Sequence, residues 1–140
     1  MKKETIRLGR ISIDILLEAV DTNGAVAMFE LTVPPGEKAP APHYHENFDE
    51  TIYGLEGTMT FTVEDESIDL APGGILFIPR GVVHGFNNLK QQSAKALAVV
   101  IPALLGPDYF KEIAAIINAG GPPDVERIKS TMAKYGLIPI

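Results

Sequence analysis

The chain has 140 residues, which is enough for one domain with a sizeable buried core and too few for two such domains side by side. Twelve lysines and arginines stand against eighteen aspartates and glutamates, and the net charge of −6 argues against a nucleic-acid partner because phosphate binding needs clustered positive charge. There is no cysteine, so a disulfide, a thiolate metal ligand and a cysteine nucleophile are all excluded.

The start of the chain carries Lys2 and Lys3 but no following apolar segment, so a signal peptide is not expected. The longest apolar stretch, residues 96–105, is broken by Pro102 and is far short of a bilayer span. We therefore expect a cytoplasmic protein with no membrane partner.

The first half of the chain alternates apolar and polar residues, which is typical of half-buried β-strands. Two such runs cover residues 11–15 and 27–33. Asp21-Thr22-Asn23-Gly24 lies between them and predicts a tight hairpin turn, since Asn-Gly tolerates the positive φ that such a turn requires.

All three histidines fall in two short segments that together predict a metal site. His43 and His45 lie two residues apart in a strand-like stretch, so their side chains project from the same face and can converge on one point. Glu50 follows a turn-prone pair and is expected to return to that face as a third ligand, with His84 as the fourth. Mixed imidazole and carboxylate sets of this kind are typical of bound transition metals.

Further strands are predicted after Glu50. In residues 59–63 the apolar side chains alternate with threonines and should face a barrel interior. Residues 75–78 are expected to form a short buried strand, and the turn at 79–81 then directs His84 inward. Residues 95–101 predict the last clear strand of the barrel.

Beyond residue 106 the apolar period changes from two to that of a helix. A first helix is predicted with Asp108 as its N-cap and Gly120-Gly121 as its end, and a second helix runs from the cap Asp124 to Gly136. We expect both helices to pack against the outer sheet, with a lid or a dimer arm as alternatives.

Residues 36–57 read G-x6-H-Y-H-x4-E-x6-G, and residues 73–88 read G-x5-P-R-G-x2-H-x3-N. This pair of motifs resembles that of the cupin superfamily, with one departure, six rather than five residues between Gly36 and His43. The resemblance implies an all-β, cupin-type double-stranded β-helix barrel, similar to a jelly roll, with a C-terminal α-helical hairpin. We expect the barrel domain to span residues 1–106 and the helical extension, packed on it, to span 107–140.

The predicted ligands His43, His45, Glu50 and His84 form a borderline set that suits one divalent transition metal, namely Fe, Mn, Ni, Cu, Co or Zn. Four protein ligands leave coordination positions open, which separates a catalytic site from a closed structural one. A purely structural metal is the alternative. Glu50 is expected to ligate the metal at rest and, when released, to act as a general base.

The predicted substrate pocket is formed by Ile52, Met59, Phe61 and Phe86, whose apolar side chains suit a small aromatic or largely apolar molecule with a polar group aimed at the metal. The alternative is that these residues are simply core. Outside this pocket, Arg80 is expected to face solvent rather than reach an anionic substrate, and Asn88 in the second motif is expected to brace its loop.

The ligand set is similar to that of the single-domain, quercetinase-like cupins, which implies a dioxygenase acting on a small aromatic or enolic molecule. Redox-neutral chemistry, as in cupin isomerases, lyases and decarboxylases, is an alternative, and so is a non-catalytic protein that binds a small molecule. We also expect a homodimer that pairs through exposed sheet edges.

Overall fold

The computed structural model describes residues 1–39 and 41–140, which fold into two antiparallel β-sheets and three helices. The strands are β1 (Glu4–Leu8), β2 (Ile11–Leu17), β3 (Ala27–Val33), β4 (His43–His45), β5 (Asp49–Glu56), β6 (Met59–Val63), β7 (Glu66–Leu70), β8 (Ile75–Ile78), β9 (His84–Asn87), β10 (Ala94–Ile101) and β11 (Leu137–Pro139). The helices are α1 (Ala19–Thr22), α2 (Pro107–Ile117) and α3 (Val125–Lys134).

The six-stranded sheet has the order β1-β2-β3-β10-β5-β8, and the five-stranded sheet has the order β11-β4-β9-β6-β7. From β3 onward the chain passes repeatedly between the two sheets, and their alternating apolar side chains meet in a shared core that includes Ile13, Phe29 and Phe61. The predicted all-β, double-sheet barrel followed by a helical hairpin is confirmed.

The connection between β2 and β3 is a short helix, so the predicted tight hairpin turn is wrong. The Asp21 carboxylate accepts a hydrogen bond from the backbone N–H of Glu18, which caps α1, and it also pairs with the Lys3 ammonium at 2.7 Å. Asn23 does adopt a positive φ of 54°, but it does so as the residue that ends α1 rather than within a two-residue turn.

Strand β8, at an edge of the six-stranded sheet, is present, but the expectation that it is buried is wrong because only one of its two faces lies on the core. Ile78 is buried, whereas Ile75 and Phe77 are 69% and 57% exposed. An edge strand with one face on the core leaves its alternate side chains on the outside, and these two are apolar.

The two long helices begin and end close to the predicted positions. The cap of α2 is Gly106 followed by Pro107, so the predicted cap Asp108 instead lies in the first turn. For α3, Asp124 is confirmed as the cap, since its carboxylate accepts a hydrogen bond from the Arg127 backbone at 3.1 Å. None of the helices in the described residues is both long and apolar enough for a membrane crossing.

The helical hairpin packs against β1 and β11, and some of its side chains face the interior of the barrel. The ring of Phe110 on α2 meets the ring of Phe29 edge-on at 5.0 Å, and both side chains line the same internal cavity. Side chains from α3 line this cavity as well. The hairpin therefore completes the interior of the barrel.

Strand β11 was not predicted, and it connects the end of the chain to the histidine strand. Gly136, with a φ of 83°, turns the chain out of the helical hairpin into this strand. There Leu137 pairs with His45 and Pro139 pairs with His43, while β4 meets β9 at the single pair His43 and His84. The division into 1–106 and 107–140 stays a prediction, and the second part contributes one strand to the barrel.

Replacing Leu137 by Ala should lower the free energy of unfolding by about 2–5 kcal/mol, the usual cost of truncating a large buried aliphatic side chain. Leu137 is 4% exposed and lines the cavity behind His45. Ile140, which is 70% exposed, provides the matched control, and its replacement by Ala should cost about 0.5 kcal/mol or less. Urea unfolding measures both values, and equal losses would mean that β11 is not anchored to the barrel.

Candidate metal centre and its cavity

Strands β4 and β9 bring the three histidines together inside the barrel. His43 and His45 project from the same face of β4, and His84 begins β9 directly opposite His43. All three imidazoles are buried, and their ligand atoms lie within 4.8 Å of one another. The two-residue spacing on a strand therefore places these side chains as the sequence predicts.

The spacing and orientation of the rings fit a shared metal ion. Nitrogens bound at about 2.1 Å to one ion lie roughly 3.0–3.4 Å apart for coordination angles between octahedral and tetrahedral values. The Nε2 atoms of His43 and His45 are 3.2 Å apart. The Nδ1 atoms of His43 and His84 each lie 2.9 Å from a backbone carbonyl, that of Ala41 and that of Val82. Donation from Nδ1 to these carbonyls leaves the Nε2 lone pairs directed at the shared point.

His45 is held in a different way from the other two. Its ring stacks on the ring of Phe48 at a centroid distance of 4.4 Å. Its Nδ1 atom is buried and has no hydrogen-bond partner in residues 1–39 and 41–140. Ring stacking thus fixes the plane of this imidazole, while carbonyl contacts fix the planes of the other two.

Burial keeps all three imidazoles neutral. Desolvation, with a smaller contribution from the neighbouring His84, lowers the pKa of His43 to about 4 and that of His45 to about 2. Burial also lowers the pKa of His84. A histidine must be neutral to bind a metal, so the cluster is in its ligating form at neutral pH.

Glu50 lies beside the three histidines rather than among them. Its Oε1 atom is 3.9 Å from the Nε2 atoms of His45 and His84, which is longer than the roughly 3.0–3.4 Å between ligands of one ion. Burial raises the pKa of Glu50 to about 7. The carboxyl group is therefore placed close enough for a small side-chain movement to bring it to the shared point, and it is suited to exchange a proton at neutral pH.

A cavity of about 400 Å³ extends from this cluster between the barrel and the helical hairpin. Three of the four side chains predicted for the pocket, Ile52, Phe61 and Phe86, line it. Met59 is 1% exposed and is not among the described residues that line the cavity. A cavity of this size is in the range of small-molecule sites.

The far wall of the cavity comes from the C-terminal helices, which sequence reasoning did not assign to the pocket. The contributing side chains on α2 and α3 include Tyr109, Phe110, Ile116, Ile128 and Met132. Their helical periodicity was the available signal, and it identifies a buried stripe without saying which surface that stripe covers.

Arg80 and Asn88 lie outside the cavity and hold the second motif in place. The Arg80 guanidinium forms a two-pronged pair with Asp49, with both N–O distances at 3.1 Å. Asn88 is 1% exposed and donates hydrogen bonds to the carbonyls of Val33 and Gln92 at 2.9 and 2.7 Å. The bracing role predicted for Asn88 is confirmed.

The sequence of the chain is similar to a protein-family profile and to curated proteins. The profile described as "Cupin domain" matches residues 29–100, just over half of the chain. Quercetin 2,3-dioxygenase of Bacillus subtilis (strain 168) is 34% identical over 93 residues, which cover 66% of this chain and 27% of that protein. The chain thus spans about a quarter of that relative, and it covers 57% and 56% of two further curated relatives.

Many solved structures resemble this fold, and two of them illustrate the range of their names. A predicted oxalate decarboxylase from Thermotoga maritima has a TM-score of 0.62 and 26% identity, over 71% of this chain and 90% of that one. A sugar phosphate isomerase from Silicibacter pomeroyi has a TM-score of 0.57 and 25% identity, over 65% and 59% of the two chains. Proteins named for different reactions thus share this architecture.

Acid should destabilise the metal-free protein, because its histidines bind protons less readily when folded than when unfolded. Their lowered folded-state pKa values mean that the unfolded chain is protonated first, so stability is lost as the pH falls below the ordinary histidine value of about 6.5. The raised pKa of Glu50 acts in the opposite sense, since that contribution is present at acid pH and is lost as the pH rises through about 7. One carboxyl group opposes three imidazoles, so acid destabilisation prevails.

Urea unfolding in chelator should therefore give a free energy of unfolding that is nearly constant above about pH 7 and falls between about pH 6.5 and pH 4.5. In His45→Gln the free energy of unfolding should fall less steeply with decreasing pH. The slope should correspond to about one proton fewer taken up on unfolding, since one buried imidazole has been removed. Exchange of exposed Glu66 for Gln should leave the slope unchanged. A His45→Gln slope equal to that of the wild type would contradict the assigned protonation states.

Proposed function

Because this chain belongs to the cupin family, we propose that it is a metal-dependent enzyme acting on a small organic molecule, and that its reaction is the dioxygenation of an aromatic or enolic substrate. The observation that carries this proposal is the cluster of inward-facing imidazoles at one end of a cavity whose walls are mainly apolar. The similarity of two thirds of the chain to a quercetin dioxygenase supports it.

In this proposal His43, His45 and His84 hold one divalent transition metal, which is Fe, Mn, Ni, Cu, Co or Zn, and Glu50 is the fourth ligand at rest. When bound, such an ion supplies polarisation of a substrate oxygen and a binding position for O₂. The carbonyls of Ala41 and Val82 keep two of the imidazoles turned toward it.

Glu50 is also the residue proposed to accept the proton of a substrate hydroxyl. In the metal-free site burial raises the pKa of this carboxyl group to about 7, and burial favours its protonated form in the same way once it has left the metal and taken up a proton. Ile52 and Phe61 lie on the wall of the same cavity and limit the water around this group. Loss of the substrate proton leaves an electron-rich enolate or phenolate, which is the form that reacts with O₂.

Redox-neutral isomerase, lyase or decarboxylase chemistry is the second candidate, and the two similar solved structures named for an isomerase and a decarboxylase favour it. Sugar phosphates and oxalate, the compounds in those names, are polar, whereas the wall of this cavity is mainly apolar. The wall thus favours an aromatic substrate. A protein that only binds a ligand has no need for a buried carboxyl group beside three imidazoles, which favours an enzyme over the non-catalytic alternative.

Replacing Glu50 by Gln should leave substantial metal in the purified protein and reduce turnover by about 10²-fold or more, the scale expected when a positioned base is removed. The change keeps the shape of the side chain but removes its charge and basicity. Elemental analysis gives the metal content, and O₂ uptake with a panel of flavonols, catechols and β-diketones gives the activity. Exposed Glu66→Gln is the matched control and should behave as wild type.

The same assay separates the alternatives when it is run in air and under anaerobic conditions. Product formed equally well without O₂ would discard the dioxygenase in favour of redox-neutral chemistry. Protein that is free of metal, and that takes up none of the six metals when they are added, would remove the metal site. Full activity in Glu50→Gln would show that the carboxylate is neither base nor required ligand.

A homodimer is proposed as the assembly, and the outer face of the six-stranded sheet supports it. Tyr53 on β5 pairs with Ile75 on the edge strand β8, and both side chains are exposed, at 39% and 69%. The exposed ring of Phe77 follows on the same face of β8. Neighbouring exposed apolar side chains beside a free sheet edge are typical of a protein interface.

Light scattering at micromolar concentration should give a mass near twice the 15.1 kDa of one chain. Phe77→Glu should shift the protein toward the monomer, because a charge would be buried in the interface. Ser67→Glu, on exposed β7 at the edge of the other sheet, is the control and should stay dimeric. A monomeric wild-type protein would refute the dimer.

A further inference from the structure

The hydroxyl group of Tyr109 has no hydrogen-bond partner within residues 1–39 and 41–140, and it is not fully enclosed by the protein. The residue lies on α2, is 5% exposed and lines the cavity. Its ring packs edge-on against the rings of Phe110 and Tyr135, with centroid distances of 5.2 and 5.4 Å. Burial of the residue raises the pKa of this phenol, so it stays protonated.

The neighbouring Tyr135 shows the usual arrangement for comparison. Its hydroxyl donates to the Glu112 carboxylate, which links α3 to α2 and also accepts a hydrogen bond from Lys134 at 2.6 Å. A hydroxyl that lines a cavity and has no partner in the protein is left to bond with water or with a ligand. The packing of its ring would therefore explain a phenylalanine at position 109, but it does not explain why the residue carries a hydroxyl group.

The position of that oxygen atom is informative because the helical wall of the cavity offers few polar groups. Of the cavity-lining residues that the helical hairpin contributes, only Tyr109 and Lys129 have polar side chains, and Lys129 is half-buried. The three imidazoles and Glu50 are contributed by the barrel. In a wall that is otherwise mainly apolar, the cavity thus has the polar cluster from the barrel, Glu37 and Lys38 from the segment after β3, and the phenol of Tyr109 from α2.

We propose that the Tyr109 hydroxyl is a hydrogen-bonding site for the organic ligand of this cavity. The ligand class that fits is a flat, largely apolar molecule with one oxygen directed at the histidine cluster and a second hydroxyl or carbonyl oxygen directed at Tyr109. The proposal rests on the proposed function in that the same cavity receives the substrate. It adds a requirement for a second polar group and assigns the residue that recognises it.

The first test needs no ligand and compares Tyr109→Phe with Tyr135→Phe by thermal unfolding. Removing an unsatisfied hydroxyl should leave the Tm of Tyr109→Phe equal to or above that of the wild type. Removing the Tyr135 hydroxyl breaks its bond to Glu112 and should lower the Tm. A comparable decrease in both variants would overturn the proposal, because the Tyr109 oxygen would then have a partner within the protein.

The second test titrates metal-loaded wild type and Tyr109→Phe with two flavonols by calorimetry. Quercetin has hydroxyl groups on its outer rings, whereas 3-hydroxyflavone has the same skeleton and only the enol hydroxyl. Tyr109→Phe should bind quercetin about tenfold more weakly than wild type does, the effect of one lost hydrogen bond, and should bind 3-hydroxyflavone equally well. Tyr135→Phe should bind both compounds as wild type does.

Equal affinity of wild type and Tyr109→Phe for quercetin would overturn the inference while leaving the proposed function intact. If neither flavonol binds to the wild-type protein, the aromatic substrate of the proposed function fails, and the comparison of Tm values still decides whether the Tyr109 hydroxyl is unpaired. The two proposals can therefore fail separately.

Discussion

The structure depends on how three imidazoles are kept neutral and turned inward within an apolar barrel. Two of them are anchored by the carbonyl of the residue two positions earlier, Ala41 for His43 and Val82 for His84. This contact needs only the local course of the strand, so orientation of the ring is encoded next to the ligand itself. Burial then lowers the pKa values of these histidines. Imidazoles exposed to water would be protonated in mild acid, whereas these stay neutral and able to bind a cation.

The parts that the sequence predicted well are those governed by local periodicity. The two-residue spacing of His43 and His45 and the motif around His84 were enough to place three side chains at one point, and alternation identified most strands. The errors arose where a distant partner decides the outcome. Strand β8 has ordinary strand composition, and Phe77 is exposed because it lies on the face of the sheet that points away from the core. Strand β11 is three residues long and forms only because β4 is there to receive it.

The cavity divides its tasks between two parts of the chain. The barrel contributes the polar cluster of histidines with Glu50, and the helical hairpin contributes most of the far wall, including Tyr109 and Met132. Helices packed against the barrel can change their side chains without disturbing the sheet hydrogen bonds that hold the histidines. A common metal-binding barrel can in this way serve proteins with different ligands, in agreement with the varied names of its structural relatives.

The pairing of β11 with β4 also has a consequence for the order in which the protein matures. The strand that carries His43 and His45 contacts β9 at one residue pair and depends on β11 for its other neighbour, which lies about two thirds of the chain length away in sequence. Closing so long a loop is entropically costly and belongs to the late steps of folding. A nascent chain that has already exposed its histidines still lacks this strand, so binding of the proposed metal should follow synthesis of the helical hairpin rather than accompany that of the barrel.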